Sequence, residues 1–593
     1  MSDTSKTAPG ERPPVLGPFI GDVTPTSIKL WLNVGDDADK DVFVTVRPVE
    51  HYKEAELGSQ VTQPDTVKQD LKTDVAQSEV IHCLKADLGT GTVTLKGLEP
   101  NTKYSYQLWE DKDHQTPLDL GDLEEKYLWF ITLFEDGYEK QLDFLLMSCH
   151  SPETATSDDC GGFGVWRQIP DIMQQNANVR FAILAGDQIY ADEIEAEALS
   201  EQDSEKRRQL YLKVYRKFWD NKYYRRVLCS LPSVLMWDDH DITDGWGSRE
   251  DSYRKDQPEE FKSEWKKLLE TAKSMFAIMQ AGRNPESLSA NFKTGFDTCF
   301  KVGKAGFIVA DLRSNRNLHK KRIWNPEQLE AIKAWVAANK SKLDTLFFVS
   351  SVVFSHGSPQ IETKVLGMWF RVLQVVKLVK KSGFLRKKVA LFNSKFGDLR
   401  DDINDSWGSD YNRSETDLVL DYLFDLENPV DDIDPLNVVI LSGDIHTPGY
   451  STIYSKRSDR HKKAIIPHIV ATPVSYEPFS WVGEAIFRRV TKVVELGNNN
   501  NYTSQVSHHF CYRNVVVVSL RNYGKQKQKG EKEEKESYLK IKYYLEGFPE
   551  PQIMLFDLNH GARKENIEWP PAPKKKQGRF GKALSRIAGI SDV

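Results

Sequence analysis

Short apolar–polar alternation dominates the first part of the chain. Between Gly17 and about Leu133, the stretches SIKLWLNV, VFVTVRP, GTVTLKGL and KYSYQLWE put apolar side chains at every second position. Turn chemistry separates them, as in LEPNT before KYSYQLWE. A period of two is that of a half-buried strand, so residues 15–135 are expected to form a small β-sandwich. Residues 1–14 are polar, contain Pro and Gly, and read as a flexible lead.

After Gln141 the rhythm changes to apolar runs of strand length alternating with helical segments. VWRQIPDIMQQN reads as one helix. A second opens at Asn325-Pro326-Glu327-Gln328, with Asn as N-cap, Pro in the first turn and Gln at the capping-box position. Its apolar face runs Leu329, Ile332, Val336. A third is expected from about Ser414, with Asp417 three residues on, toward Leu423. YSTIYS, IPHIVAT, NVVVVSL, YLKIKYYL and IMLFDL are strand-like again, and GKQKQKGEKEEKE between two of them reads as a solvated hairpin tip. This alternation predicts a layered α/β domain over about residues 140–560.

Six apolar runs in that domain each end in a polar cluster. They close at His150 (FLLMSCH), Tyr190 (FAILAGDQIY), Asp241 (VLMWDDHD), Arg316 (FIVADLRSNR), His356 (LFFVSSVVFSH) and His446 (VVILSGDIH). Ligands in layered α/β folds collect outside the carboxyl ends of strands, so six clusters predict one shared polar site. Its inventory is metal-like: Cys149, Asp187, Tyr190, Asp238, Asp239, His240, Asp444 and His446. Thiolate, carboxylate, phenolate and imidazole together suit a hard or borderline metal beside a second cation. A phosphate-cradling GxxxxGK[ST] loop and a nucleophile elbow are both absent from the sequence.

Composition narrows the class. At 593 residues, a norm of ~150 residues each would give about four units, which the element pattern reduces to about two, a β-sandwich and one large α/β core enlarged by insertions and a tail. With 39% hydrophobic and 28% charged residues the chain can bury a large core. Lys+Arg at 80 against Asp+Glu at 86 argues against nucleic-acid binding as a primary role. No apolar run reaches membrane-spanning length, and the first residues lack a signal-peptide core. The expected location is cytoplasmic or membrane-peripheral; a mature secreted form would read the same way. Lys364 to Phe396 is basic without an acid, within an insertion at about 360–396, and Lys574, Lys575, Lys576, Arg579, Lys582 and Arg586 make a basic tail at 561–593. Their bland reading is a helical cap and a solvated tail; the sharper one is peripheral contact with anionic membrane.

GDQIYAD, WDDHD, DLRSNR, DSWGSDYNR and SGDIH, in this order, resemble the alkaline phosphatase D (PhoD-like) family of the metallophosphoesterase superfamily. The likeness runs over about residues 15–520. It implies an α/β fold, a metallophosphoesterase-type two-sheet αββα sandwich preceded by a small all-β sandwich like an immunoglobulin or fibronectin domain. It implies hydrolysis of phosphate esters, mono- or diesters, by a metal-bound hydroxide at a multi-metal site. Asp187 would bridge two metals, Cys149 and Tyr190 would hold the first, and Asp239, Asp444 and His446 would complete the set. His240 would act as general acid. Arg313, with Arg316 next and Arg413 after it, would grip phosphate oxygens. Fe³⁺ is implied at the thiolate–phenolate position and Ca²⁺ at the second, where Mg²⁺, Mn²⁺ or Zn²⁺ also fit. The partner is a phosphate-ester substrate, and the state a monomer or small homo-oligomer. A phospholipase-type diesterase and a non-catalytic binding protein using the β-sandwich are the alternatives.

The remaining candidates read as structural: Cys83, Cys160, Cys229, Cys299, Cys511, His508, His509 and His356. His150 and Asp238 stand between ligation and support of a ligand.

Overall fold

The computed structural model describes residues 15–35, 38–49, 77–135, 141–152, 160–248, 259–317, 321–354, 405–428, 435–457, 460–461, 464–478, 492–524 and 535–558. The lead at 1–14, the hairpin tip, Ser355 and His356, the basic insertion, most of PFSWVGEAIFRRV and the basic tail lie outside them. The described residues form mixed α/β structure with four sheets. The chain divides into two compact units.

The first unit comprises residues 1–138 with 219–234 and 282–285, so it gains two later segments that its strand pattern does not announce. One sheet has the order Leu16–Val23, Ser27–Asn33, Thr90–Lys96; the other has Gln77–Cys83, Lys40–Pro48, Lys103–Trp109, Trp129–Ile131. All pairings are antiparallel. The alternation in the sequence is the reason. Val42, Val44 and Val46 face the same apolar core as Ile28, Leu30 and Leu32. A second cluster forms where the added segments arrive. The buried Arg283 guanidinium lies over Phe19 at 4.9 Å, Trp219 at 5.1 Å and Trp31 at 5.6 Å. Aromatic faces carry the negative end of the ring quadrupole, which compensates a buried cation.

The second unit holds the two larger sheets. Six strands run in the order Ser233–Met236, Val179–Ala185, Gln141–Met147, Asn514–Gly524, Lys535–Leu545, Gln552–Asp557. Eight run Thr298–Val302, Ala305–Val309, Thr345–Ser350, Asn437–Ser442, Ile465–Val470, Gly449–Ser455, Tyr502–His509, Val493–Leu496. Four of these, from Ala305–Val309 to Ile465–Val470, are mutually parallel, as are Gln141–Met147 and Val179–Ala185. Parallel strands buried on both faces read as continuous apolar runs, which FLLM, FAILA and LFFV are. Phenylalanines join the sheets: Phe144 meets Phe307 at 5.4 Å and Phe347 at 5.3 Å, and Phe181 meets Phe307 at 5.4 Å, all edge to face.

Helix Pro326–Asn339 has the expected capping box. Asn325 Oδ1 accepts from Gln328 N at 2.8 Å, and Gln328 Oε1 accepts from Asn325 N at 2.9 Å. Leu329, Ile332 and Val336 are buried. Helix Arg413–Glu427 departs from expectation at its start. Asn412 is its N-cap, without a side-chain capping bond. Asp417 is buried and accepts from Asn498 N at 2.9 Å, so it organises the turn at Asn498–Asn500 rather than a capping box. No helix among the described residues is long and apolar enough to cross a membrane.

Asp297 sits beneath this layer. Its oxygens accept from Asp311 N at 2.8 Å and Gln328 Nε2 at 2.7 Å. Burial, then the neighbouring Asp311 carboxylate, push it up to about 7. A carboxyl raised in the folded state contributes stability below its unfolded value that is lost as pH rises through the folded one. Stability is therefore expected to fall between about pH 4 and 7 by up to a few kcal/mol from this group. Asp297→Asn should flatten that slope in urea melts across the window; an unchanged slope would refute the assignment.

Candidate functional site

The six strand ends converge. Cys149 follows Gln141–Met147, Asp187 follows Val179–Ala185, and Asp238, Asp239 and His240 follow Ser233–Met236. Arg313 follows Ala305–Val309, Ser351 follows Thr345–Ser350, and Asp444 and His446 follow Asn437–Ser442. Three ends come from each large sheet. Two glycines permit the approach. A Cβ on Gly443 would stand 2.0 Å from Ala185 O. One on Gly186, at φ 98°, would stand 2.9 Å from Asp238 Cβ.

The chain leaves these strands by sharp left-handed turns. Cys149, Asp187, Asp444, Ile445 and His446 have φ of 57°, 52°, 56°, 52° and 51°. Each such non-glycine residue costs about 1 kcal/mol or more and persists only where its surroundings enforce it. Cross-strand bonds do so here: Cys149 N donates to Gly186 O at 3.2 Å and His150 N to Asp187 O at 2.8 Å.

Three donor groups result, the ligand atoms in each lying within 4.8 Å of one another: Cys149–Asp187–His446, Asp187–Asp239–His240 and Asp238–Asp405–Asp444. Asp187 belongs to two of them. Tyr190 joins the first, its hydroxyl 3.3 Å from His446 Nε2. Asp444 and His446, two residues apart in one motif, serve different groups.

Charge is crowded here. Burial pushes Asp187 and Asp444 well above the usual carboxylate range, with neighbouring aspartates adding to it. Burial raises Asp239 to about 6, although Arg313 and His240 pull the other way. Burial opposes the positive charge of His240, yet Asp192, Asp239 and Asp187 together lift it well above the histidine range. Asp192 Oδ2 is 2.7 Å from His240 Nδ1. Asp187 Oδ1, Asp238 Oδ2 and Asp444 Oδ2 are buried without a hydrogen-bond donor among the described residues. Orphaned buried carboxylate oxygens are what bound cations would satisfy. The donor set therefore fits metal ions.

Arg313 does something other than reach toward a phosphate. It is fully buried. Nε donates to Asp238 Oδ1, and Nη1 to Trp246 O at 3.0 Å and Asp405 Oδ1 at 2.9 Å. Nη2 donates to Asp239 Oδ1 at 3.3 Å and to Asp405 Oδ2. All five N–H groups of its fork are engaged, leaving none for substrate. Arg316 Nη2 also holds Asp405, while its Nη1 is buried without a partner among the described residues. Arg413 is occupied at the surface by Asp410, Gly497 O at 2.9 Å and Asn500 Oδ1 at 3.0 Å.

Several contributors escaped the sequence reading. Asp405 opens the very motif from which Arg413 was chosen. Asp192 closes the GDQIYAD motif but was given no role there. Tyr476, in a segment without a motif, stacks on His446 at 3.7 Å between ring centres and on Tyr190 at 5.4 Å. His150 points away from the donors, toward Ser475 Oγ at 2.9 Å and Phe218 O at 2.9 Å, and so supports rather than ligates. Asp238 accepts from Ser351 Oγ at 2.7 Å and keeps one oxygen free.

This geometry coincides with a family match. A family model described as PhoD-like phosphatase matches residues 144–522. The chain belongs to the PhoD-like phosphatase family. It is similar to a Saccharomyces cerevisiae protein named "Uncharacterized protein YGR266W", with 23% identity over 401 residues, 58% of this chain and 54% of that protein. The chain thus spans about half the length of that relative. Its fold is similar to a solved structure titled "Structure of PhoD", with a TM-score of 0.57, 13% identity, and coverage of 97% of this chain and 96% of the other. In this PhoD-like chain all the donor groups lie within the matched span.

Arg313→Leu would strand Asp238, Asp239 and Asp405 without their shared counter-charge. A loss of about 3–5 kcal/mol is expected, read in denaturant melts. A rise in KM with stability intact would instead restore Arg313 to a substrate-gripping role.

Proposed function

We propose that this chain hydrolyses phosphate esters, mono- or diesters, at a centre built for two cations. The observation that carries the proposal is the set of orphaned oxygens on Asp187, Asp238 and Asp444, placed in adjoining donor groups. Cys149, Asp187, Tyr190 and His446 offer sulfur, carboxylate, phenol and imidazole, a set suited to Fe³⁺ and compatible with Zn²⁺. Asp238, Asp405 and Asp444 offer oxygen alone, which suits Ca²⁺, with Mg²⁺ or Mn²⁺ accepted by the same ligands. When bound, such cations supply Lewis acidity that polarises a phosphoryl oxygen and offsets charge developing in displacement at phosphorus. The packed sheets of the second unit support an αββα reading, and the shared core of the first supports an immunoglobulin- or fibronectin-like one.

The chain's own residues do the rest. Asp187 keeps one buried oxygen without a donor among the described residues, open to the cation beside Cys149 and His446, while its second group includes His240, which is kept for proton transfer. His240 holds its proton because Asp192 engages Nδ1, which leaves Nε2 to protonate the leaving oxygen. Tyr190 lies against the His240 ring at 4.2 Å between centres and limits its swing. Arg316 takes the phosphate-directed role first given to Arg313, since it retains an unpartnered donor. Gly247, at φ 85°, packs on its stem where a Cβ would come within 2.8 Å of Arg316 Cγ.

Metal analysis of purified protein, with parallel monoester and diester assays, tests the reading. Cys149→Ala and Asp187→Asn are expected to lose metal and to slow turnover on the order of 10²–10³-fold, and chelation should abolish it. Full activity after chelation and in both variants would sink the proposal. The ratio of monoester to diester rates assigns the substrate class.

His240 gives a second test. Its proton is retained to higher pH because of Asp192, so activity is lost as pH rises through the raised value. Asp192→Asn should move the alkaline limb of kcat/KM to lower pH; a limb that stays in place would remove His240 as the acid.

A further inference from the structure

The Cys149 sulfur has close neighbours besides the carboxylate of Asp187, which lies 3.4 Å away. Thr472 Oγ1 donates to it at 3.0 Å, and Ser148 Oγ lies 3.4 Å from it. All three side chains are buried, with no measurable exposure. The arrangement is held by the backbone. Val474 N donates to Ser148 O at 2.8 Å, and Tyr476 N to Cys149 O at 3.3 Å. Asn514 Nδ2 pins Thr472 by its carbonyl at 2.8 Å. Ser148 Oγ also donates to Ala471 O at 3.0 Å. Ser148 is therefore partly committed elsewhere, and Thr472 is the stronger donor to sulfur.

A sulfur that ligates a metal donates electron density to it. A hydrogen bond to that sulfur draws density back, weakens the donation and favours the lower oxidation state of the metal. We propose that Thr472 is a positioning residue that hydrogen-bonds the Cys149 sulfur and sets its donor strength toward the bound metal. The Thr472 hydroxyl donates to the sulfur, so Thr472 acts through Cys149. The same short segment carries Tyr476, whose ring lies on His446. Residues 472–476 thus touch two donors of one group, Cys149 and His446. This inference rests on Cys149 being a ligand, as proposed above.

The test uses the full chain, stripped of metal and reloaded with Co²⁺ or, separately, with Fe³⁺. Two quantities are read: the sulfur-to-metal charge-transfer band and the midpoint potential of the iron form. Thr472→Val is expected to shift the band to lower energy and the potential downward. Thr472→Ser keeps a hydroxyl and should restore both to wild-type values. Ser148→Ala, which removes a hydroxyl whose proton goes to Ala471 O, should leave both near wild-type values. A change in thermal midpoint with band and potential unmoved would mean Thr472 only packs, and would overturn the proposal. If the wild-type protein shows no sulfur band that Cys149→Ala removes, ligation by Cys149 itself fails and the inference falls with it. A band present in wild type and unmoved in Thr472→Val defeats this inference alone.

Discussion

Ionised carboxylates are costly to bury side by side unless positive charge stands among them, and this constraint organises the site of the second unit. Asp187, Asp238, Asp239, Asp405 and Asp444 share one buried region. Arg313 and Arg316 answer part of that charge. Together they hold Asp405 below its usual range despite its burial. Arg313 ties the ends of three separate chain stretches through one planar fork, a geometry that lysine could not reproduce. What the guanidiniums leave unanswered appears as the raised carboxyls and the oxygens without donors. Stability and chemistry are therefore coupled: the arginine that lets the region fold also decides how much negative charge remains for cations.

Rigid sheets make that coupling usable. Edge-to-face phenylalanines fix the spacing of the two sheets below the site, and Gly186 and Gly443 let their ends close above it. Donor residues in left-handed conformations are affordable only on such a support. The aromatic slab of His446, Tyr476, Tyr190 and His240 adds a wall that orients imidazoles by ring contact.

Much of this was legible beforehand, and for a physical reason. A buried parallel strand is a solid apolar run, so its end is conspicuous when it breaks into Asp, His or Cys. Five of the six breaks seen in the sequence lie just past the carboxyl ends of strands, and the sixth, at His356, falls outside the described residues. Capping at Asn325 was equally readable because both partners sit three residues apart. Arg313 was not, since an arginine fork suits a phosphate and a carboxylate alike. Its role depends on Asp238 and Asp405, which are 75 and 92 residues away in sequence. Asp417 misled because a local capping bond competed with a distant turn at Asn498 and lost. The recruitment of residues 219–234 and 282–285 to the first unit was hidden for the same reason: helix Lys222–Leu228 looks generic until its partners are known.

The donors' spread along the chain, from Cys149 to His446, bears on the order in which the molecule is made. Strand Asn437–Ser442 emerges long after Gln141–Met147, and no donor group containing Asp444 or His446 exists until it inserts. Pairings of such long sequence separation form late in folding, because loop closure must be met before they stabilise anything. During synthesis the early carboxylates therefore stand without their partners, and a cation finds only weak, scattered oxygens. The groups that contain Asp444 and His446 come into being only when that strand inserts, so cation uptake by them reports an advanced stage of folding instead of guiding it.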